Sequence, residues 1–118
     1  MDINTRFELT SAKTKHLLFK SKMRSYLNGS SEVEENVLID PNACALGKWL
    51  VEVGSKYNQY SEITQLNEAH IKMHAKAKEI IDLKSANKKK EAEAKMADIE
   101  EIGSSIMSLV EKLEKRLS

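Results

Sequence analysis

Hydrophobic side chains recur at steps of three and four residues along most of the chain, the spacing that puts them on one face of an α-helix. Thr5-Arg6-Phe7-Glu8 matches a capping box, in which Thr5 covers free amides and Glu8 reaches back. The pattern predicts a first helix that begins there and ends at Asn28-Gly29, where glycine permits a left-handed turn. Its apolar stripe consists of Leu9, Ala12, His16, Phe19, Met23 and Tyr26.

A polar, acidic connection from Gly29 to Asn42 separates this helix from a short one. Asp40-Pro41 indicates a helix start, and the short helix is predicted over roughly Asn42 to Val53, with Gly54 as its stop. Cys44 falls in its first turn. The packing residues expected on this helix are Leu46, Trp49, Leu50 and Val53.

Two long helices complete the pattern. The third is predicted from about Asn58 to Lys84, and the turn Ser85-Ala86-Asn87 leads through Lys88-Lys89-Lys90 into the last. Gly103 interrupts the last helix and is expected to let a neighbouring backbone approach closely. The apolar stripe of the third helix consists of Ile63, Leu66, His70, Met73 or His74, Ala77 and Ile81, and that of the last helix of Ala92, Met96, Ile99, Ile102, Ile106, Leu109 or Val110, Leu113 and Leu117.

Three long helices and one short helix, without strand-like alternation, predict an all-α fold, an antiparallel four-helix bundle. The 118 residues fit one domain, 1–118. With 41% hydrophobic and 31% charged residues, four Gly and one Pro, the composition is that of a soluble helical protein. The last helix is expected to pack against the first and third and to leave surface for a twofold contact.

Charge and targeting signals narrow the function classes. Lys and Arg number 19 against 18 Asp and Glu, and aromatic residues make up 5%, which argues against nucleic-acid binding. The N-terminus has no apolar core of a signal peptide, and no run approaches the ~18 apolar residues of a membrane span. We therefore expect no membrane partner and a cytoplasmic location, where the single cysteine stays reduced.

All three histidines fall on apolar stripes, which makes them candidates for metal binding. His70 and His74 are one turn apart on the same face, a common way for a helix to offer two nitrogen ligands to one metal. Cys44 feels the positive end of its helix, which favours the metal-binding thiolate, and Gly47 leaves room for that helix to approach the bundle. With His16 these residues supply the four ligands of a closed tetrahedral zinc site. Taken singly, His16 and Cys44 are each more typical of a packed core residue, and the histidine pair is equally consistent with two unrelated buried side chains.

Cys44-Ala45-Leu46-Gly47-Lys48-Trp49 resembles the Cys-x-Leu-Gly-x-Trp core of the chemoreceptor zinc-binding (CZB) domain. His16-Leu17-Leu18-Phe19-Lys20 resembles the first-helix ligand motif of that family, and His70-Ile71-Lys72-Met73-His74 resembles its paired-histidine motif. Ser104-Ser105 resembles a further common feature of the last helix. Many members carry an acidic residue beside the first histidine, where this chain has Lys15.

The resemblance implies a homodimeric four-helix bundle with one zinc ion per subunit, bound by His16, Cys44, His70 and His74. It also implies a sensory module that works with a chemoreceptor or a cyclase making cyclic di-GMP and responds to zinc or oxidants. No receptor coiled coil or cyclase is present in the sequence. Met1 and the early capping box favour a free-standing member over a piece of a longer protein.

Three alternatives compete with a zinc- or redox-responsive switch. A zinc metalloenzyme is disfavoured because Cys44 would fill the open position, and no glutamate lies between His70 and His74. A di-iron or haem bundle would need more histidines and inward carboxylates. A dimerisation module without metal, or with purely structural zinc, remains open.

Overall fold

The computed structural model describes residues 3–29 and 38–116, and most of this part of the chain is helical. No strand occurs among the described residues, which confirms the all-α prediction. The helices are α1 (Ile3–His16), α2 (Phe19–Leu27), α3 (Ala45–Val53), α4 (Ser61–Ser85) and α5 (Lys89–Arg116), with short 3₁₀ turns at Pro41–Ala43 and Gly54–Tyr57. The acidic stretch predicted to be a solvated connection falls mainly on residues 30–37, outside the described residues.

The start of the first helix differs from the prediction. α1 is already helical at Ile3, so Thr5 lies inside the helix and the predicted capping box is wrong. The indole nitrogen of Trp49 donates a hydrogen bond to the carbonyl oxygen of Thr5 at 3.3 Å. Packing against α3 thus supports this turn of α1, and such tertiary contacts override a local capping signal.

The predicted first helix is also divided in two, immediately after His16. The amide of Leu17 still donates to the carbonyl oxygen of Lys13 at 3.0 Å, but the amide of Leu18 donates to that of Lys15 at 3.3 Å. The spacing of the backbone hydrogen bonds therefore shortens from four residues to three at Leu17–Leu18, before α2 begins. Neither residue is a helix breaker, so the sequence carries no signal for this turn.

The short helix begins later than predicted. The carboxylate of Asp40 accepts a hydrogen bond from the amide of Asn42 at 2.9 Å, and Pro41–Ala43 form a separate 3₁₀ turn. Cys44 has an extended backbone, with φ −93° and ψ 142°. It is therefore the residue that precedes α3 and not, as predicted, a member of its first turn.

The left-handed turn predicted at Gly29 and the polar turn predicted at Ser85-Ala86-Asn87 are both confirmed. Gly29 has φ +92° directly after α2. Asn87 has φ +63° in the turn between α4 and α5, as a short polar side chain permits. The two longest helices are thus joined by three residues.

The core lies among all five helices. α5 packs against α4 along its length and also contacts α1 and α2, as predicted, while α3 rests on α1 and α4. This packing is compatible with a helical bundle. The atom that approaches Gly103 is the terminal carbon of the Met73 side chain, 3.2 Å from where a β-carbon would stand, and not a neighbouring backbone as predicted. The largest fully buried apolar side chains are Leu9, Met23, Leu27, Leu38, Leu46, Leu66, Ile80, Ile99, Ile106 and Leu113.

Among the helices described, none combines the length and apolar character needed to cross a membrane.

Gly47 is a position where a side chain cannot be accommodated. A β-carbon there would stand 1.8 Å from the carbonyl oxygen of Pro41 and 3.1 Å from a ring carbon of His70. We expect Gly47→Ala to lower the free energy of unfolding by about 2–3 kcal/mol, because the Pro41–Ala43 turn must move. Chemical denaturation followed by circular dichroism measures the change.

Gly54→Ala is the matched control. The β-carbon it adds would make only ordinary contacts, the nearest at 3.6 Å, and Gly54 already has helical backbone angles. Stability should be unchanged or slightly higher. Equal stability losses in the two variants would contradict the close approach at Gly47.

Candidate metal centre

Four side chains from three parts of the chain meet at one point. His16 is the last residue of α1, Cys44 immediately precedes α3, and His70 and His74 lie one turn apart on α4. One ligand atom of each residue lies within 4.8 Å of those of the other three. The structure therefore brings together all four residues that the sequence predicts as metal ligands.

The histidines of this cluster are buried. His16 is 5% exposed, and His70 and His74 are each 1% exposed, whereas Cys44 is half-buried. Burying an imidazole without partners for its ring nitrogens is unfavourable by about 1–3 kcal/mol for each unsatisfied group. Three buried imidazoles lying side by side in one core need a common explanation.

Hydrogen bonds orient the pair on α4. Nδ1 of His74 lies 2.7 Å from the carbonyl oxygen of Leu38, so the proton is assigned to Nδ1 and the lone pair to Nε2. Nε2 of His74 lies 3.1 Å from Nε2 of His70. Two nitrogens of one α4 face therefore point at each other.

His16 has no such support. Neither Nδ1 nor Nε2 has a hydrogen-bond partner among the described residues, although both atoms are buried. The ring stacks on Phe19, with centroids 5.3 Å apart and planes 10° from parallel. Phe19 in turn meets His74 edge to face at 5.0 Å. Phe19 thus forms an apolar wall of the site while His16 keeps two unused nitrogens.

The environment keeps the imidazoles neutral. Burial, with contributions from His74 and Lys22, lowers the pKa of His16 from 6.5 to about 4. Burial, with His74 and His16, lowers the pKa of His70 to about 3. Burial also lowers the pKa of His74, against the opposing effect of the Leu38 carbonyl. At neutral pH these rings therefore hold free lone pairs, the form in which histidine binds a metal.

Acid should therefore destabilise the protein when a chelator keeps metal away. Well above pH 6.5 neither the folded nor the unfolded state protonates these rings, and their contribution to stability is complete. As the pH falls toward about 4 for His16 and about 3 for His70, the unfolded state takes up protons that the folded state refuses. Each ring then contributes a loss of up to about 1.4 kcal/mol per pH unit.

Denaturation curves recorded between pH 7.5 and 4.5 in chelator measure this slope. The variant His16→Leu lacks one of the titrating rings and should show a shallower dependence on pH. An identical slope in the variant would show that His16 is not held neutral by the fold.

The donor set fits a zinc ion. Zinc prefers four nitrogen and sulfur ligands in a tetrahedron, with Zn–N bonds of about 2.0–2.1 Å, so two bound nitrogens lie roughly 3.3 Å apart. The 3.1 Å between the His70 and His74 nitrogens is close to this ligand–ligand distance. All four ligand atoms lie within 4.8 Å of one another, so the side chains need to move only slightly closer together to bind one zinc ion. No carboxylate belongs to this group, which disfavours a di-iron centre.

Two features of the site were not visible in the sequence. The Leu38 carbonyl that orients His74 is a backbone atom in what was predicted to be connection, and no side-chain pattern indicates it. The turn that ends α1 at His16 also lacks a signal. Ser104 and Ser105, which the resemblance singled out, are exposed on α5 and lie outside the ligand group.

A helical protein in which three imidazoles and a thiol converge in the core has the features of a metal-binding domain. Residues 16–81, more than half of the chain, match the family described as the chemoreceptor zinc-binding domain, and the chain belongs to that family. The match begins at His16 and includes the other three residues of the cluster. Comparison with curated proteins gave no match, and neither did comparison with solved structures. The family is sensory and regulatory rather than catalytic.

Proposed function

We propose that the protein is a zinc-binding sensory module of bacterial signalling, in which His16, Cys44, His70 and His74 hold one zinc ion. The observation that carries this proposal is the unsatisfied His16 ring, buried within 4.8 Å of three other ligand atoms. A core built this way is unfavourable without a cation and favourable with one. Membership of the zinc-binding family supports the choice of metal.

The four ligands hold three helices. His16 holds the end of α1, Cys44 holds the start of α3, and the two histidines hold the middle of α4. Bound zinc supplies a cross-link among these three helices and a positive charge that favours the Cys44 thiolate. The hydrogen bond from His74 to Leu38 extends the cross-link to the chain segment that precedes the Pro41–Ala43 turn.

Cys44 makes the module responsive to oxidants as well as to zinc. It is the one anionic ligand of the set and the least buried of the four residues. A two-electron oxidant such as hydrogen peroxide transfers an oxygen atom to its sulfur and leaves as water, and the resulting sulfenic acid is a poor ligand. Release of Cys44 would free the start of α3 from α4 and allow the helices to repack.

Contacts between the helices and an exposed apolar side chain support the proposed helix arrangement and homodimer. The ion pairs Lys76–Asp98 and Glu62–Arg116 support an antiparallel arrangement of α4 and α5. Exposed Phe7 is one apolar side chain available to a homodimer contact. We propose a single domain over 1–118 that forms a homodimer in the cytoplasm and signals to a chemoreceptor or to a cyclase making cyclic di-GMP.

Metal content tests the zinc proposal. Elemental analysis of the purified protein should give one zinc per chain, and Cys44→Ala and His70→Ala should lose most of it, since removing one of four ligands opens the site. Lys72→Ala is the control, because Lys72 is exposed between the two α4 histidines. A wild-type protein that is folded and free of metal after growth in ample zinc would instead support a dimerisation module without metal.

A further inference from the structure

A second feature adjoins the metal centre on the side of Cys44. A pocket of about 340 Å³ lies among α1, α2 and the start of α3. Its size suits a small ligand. Its lining includes Lys15, His16, Phe19, Lys22, Cys44 and Lys48.

Three lysines from three helices line this pocket. Lys15 lies on α1, Lys22 on α2 and Lys48 on α3, and none of them forms an ion pair with a described residue. No described carboxylate lines the pocket. Glu8 and Glu52 line an adjoining groove, which Lys15 and Lys48 also border. Like charges gathered in a concave site whose own lining holds no carboxylate create a positive potential that attracts anions.

The buried ring of His16 also lines this pocket. Zinc can take only one of its two nitrogens, and the other carries a proton that needs an acceptor. No described residue supplies that acceptor. The positive charge of Lys22 is close enough to contribute to the lowered pKa of His16, so the ring and the lysine share one electrostatic environment.

We propose that this pocket binds a small oxyanion, a carboxylate or phosphate group, between Lys15, Lys22 and Lys48, next to His16 and the sulfur of Cys44. The lysines supply the charge, and the second nitrogen of His16 supplies a buried hydrogen-bond donor. The bound anion lies beside the sulfur, so the pocket selects which reagents reach Cys44 by their charge. This goes beyond zinc binding, since it assigns a second ligand and a selectivity to the site.

Alkylation of Cys44 by two reagents that differ in charge tests this proposal on the full-length protein as purified. Iodoacetate is an anion and iodoacetamide is neutral; in both reactions the thiolate sulfur bonds to the methylene carbon and iodide leaves. The ratio of the two rates cancels the thiolate fraction and the zinc occupancy, which affect both reagents alike. We expect this ratio to exceed that of N-acetylcysteine by at least about fivefold, measured by mass spectrometry.

Two comparisons identify the lysines as the cause. In the triple variant Lys15→Gln, Lys22→Gln, Lys48→Gln the ratio should fall to that of N-acetylcysteine. The control triple variant Lys56→Gln, Lys89→Gln, Lys112→Gln removes the same net charge from exposed positions outside the pocket and should retain the wild-type ratio. Inorganic phosphate, exchanged for chloride at constant ionic strength, should slow both reagents in the wild type and in the control variant, but not in the variant that lacks the three pocket lysines.

A wild-type ratio equal to that of N-acetylcysteine would overturn the anion site, and so would equal losses in the two triple variants. Zinc content measured on the same samples keeps the two proposals separate. Zinc-loaded protein without charge selectivity would contradict the anion pocket and leave the zinc proposal intact. Charge selectivity in a protein without zinc would support the anion pocket and contradict the zinc proposal.

Discussion

A strong chelator is expected to lower the unfolding temperature of the protein by about 15 °C. A ligand at roughly 1,000 times its dissociation constant stabilises a fold by about 4 kcal/mol, and about 1 kcal/mol corresponds to about 4 °C for a domain of this size. The physical reason is that the metal-free core must hold three buried imidazoles, of which His16 has no partner for either nitrogen among the described residues. Differential scanning calorimetry with and without chelator measures the shift.

His16→Leu is the informative partner for this measurement. The leucine variant should bind zinc weakly and show little response to chelator. Without metal it should be more stable than the metal-free wild type by about 1–2 kcal/mol, because two unsatisfied buried nitrogens are replaced by an apolar side chain. If the metal-free variant were instead less stable than the metal-free wild type, His16 would be an ordinary packed histidine.

Oxidation of Cys44 is expected to release essentially all of the bound zinc. One equivalent of hypochlorite or a small excess of peroxide converts the only anionic ligand to a sulfenic acid, and three neutral imidazoles hold zinc far more weakly. A chromogenic zinc indicator follows the release, and mass spectrometry counts the oxygen atoms added to the protein. Zinc that stayed bound after complete oxidation of Cys44 would disprove the switch.

The five methionines require a control, since they are oxidised by the same reagents. Cys44→His replaces the thiol by a further imidazole and leaves a set of four nitrogen ligands. This variant should bind zinc and keep it under oxidant doses that empty the wild type. Release from Cys44→His at the wild-type rate would assign the response to methionine and not to Cys44.

The spacing of apolar residues was sufficient to predict which faces of the helices are buried. Burial of Leu9, Phe19 and Met23 on one side of the first two helices follows from steps of three and four, and so does the pairing of His70 and His74. Chemistry assembled the four ligands as one of the interpretations that the sequence left open, since a buried histidine can also be satisfied by a carbonyl or carboxylate. The family resemblance selected that interpretation, and the geometry of the group follows from the structure.

Features that depend on single backbone hydrogen bonds could not be predicted in this way. The turn at Leu17–Leu18 is made by one shifted hydrogen bond between ordinary helix formers. The extended backbone of Cys44 depends on the turn that Asp40 stabilises. Thr5 shows the converse, since a plausible local cap is overridden by packing against Trp49. Local signals fail here because the competing contacts come from elsewhere in the chain.

The position of the turn after His16 has a geometrical consequence. α2 contains nine residues and at about 1.5 Å per residue is roughly 13 Å long. A tilt of about 10° at Leu17–Leu18 would therefore displace its far end, at Leu27, by about 2 Å. α2 would then act as a lever arm that pivots beside a metal ligand. A small reorientation of the His16 ring would reach the far end of α2, where Lys84 donates a hydrogen bond to the carbonyl oxygen of Tyr26, as a larger displacement.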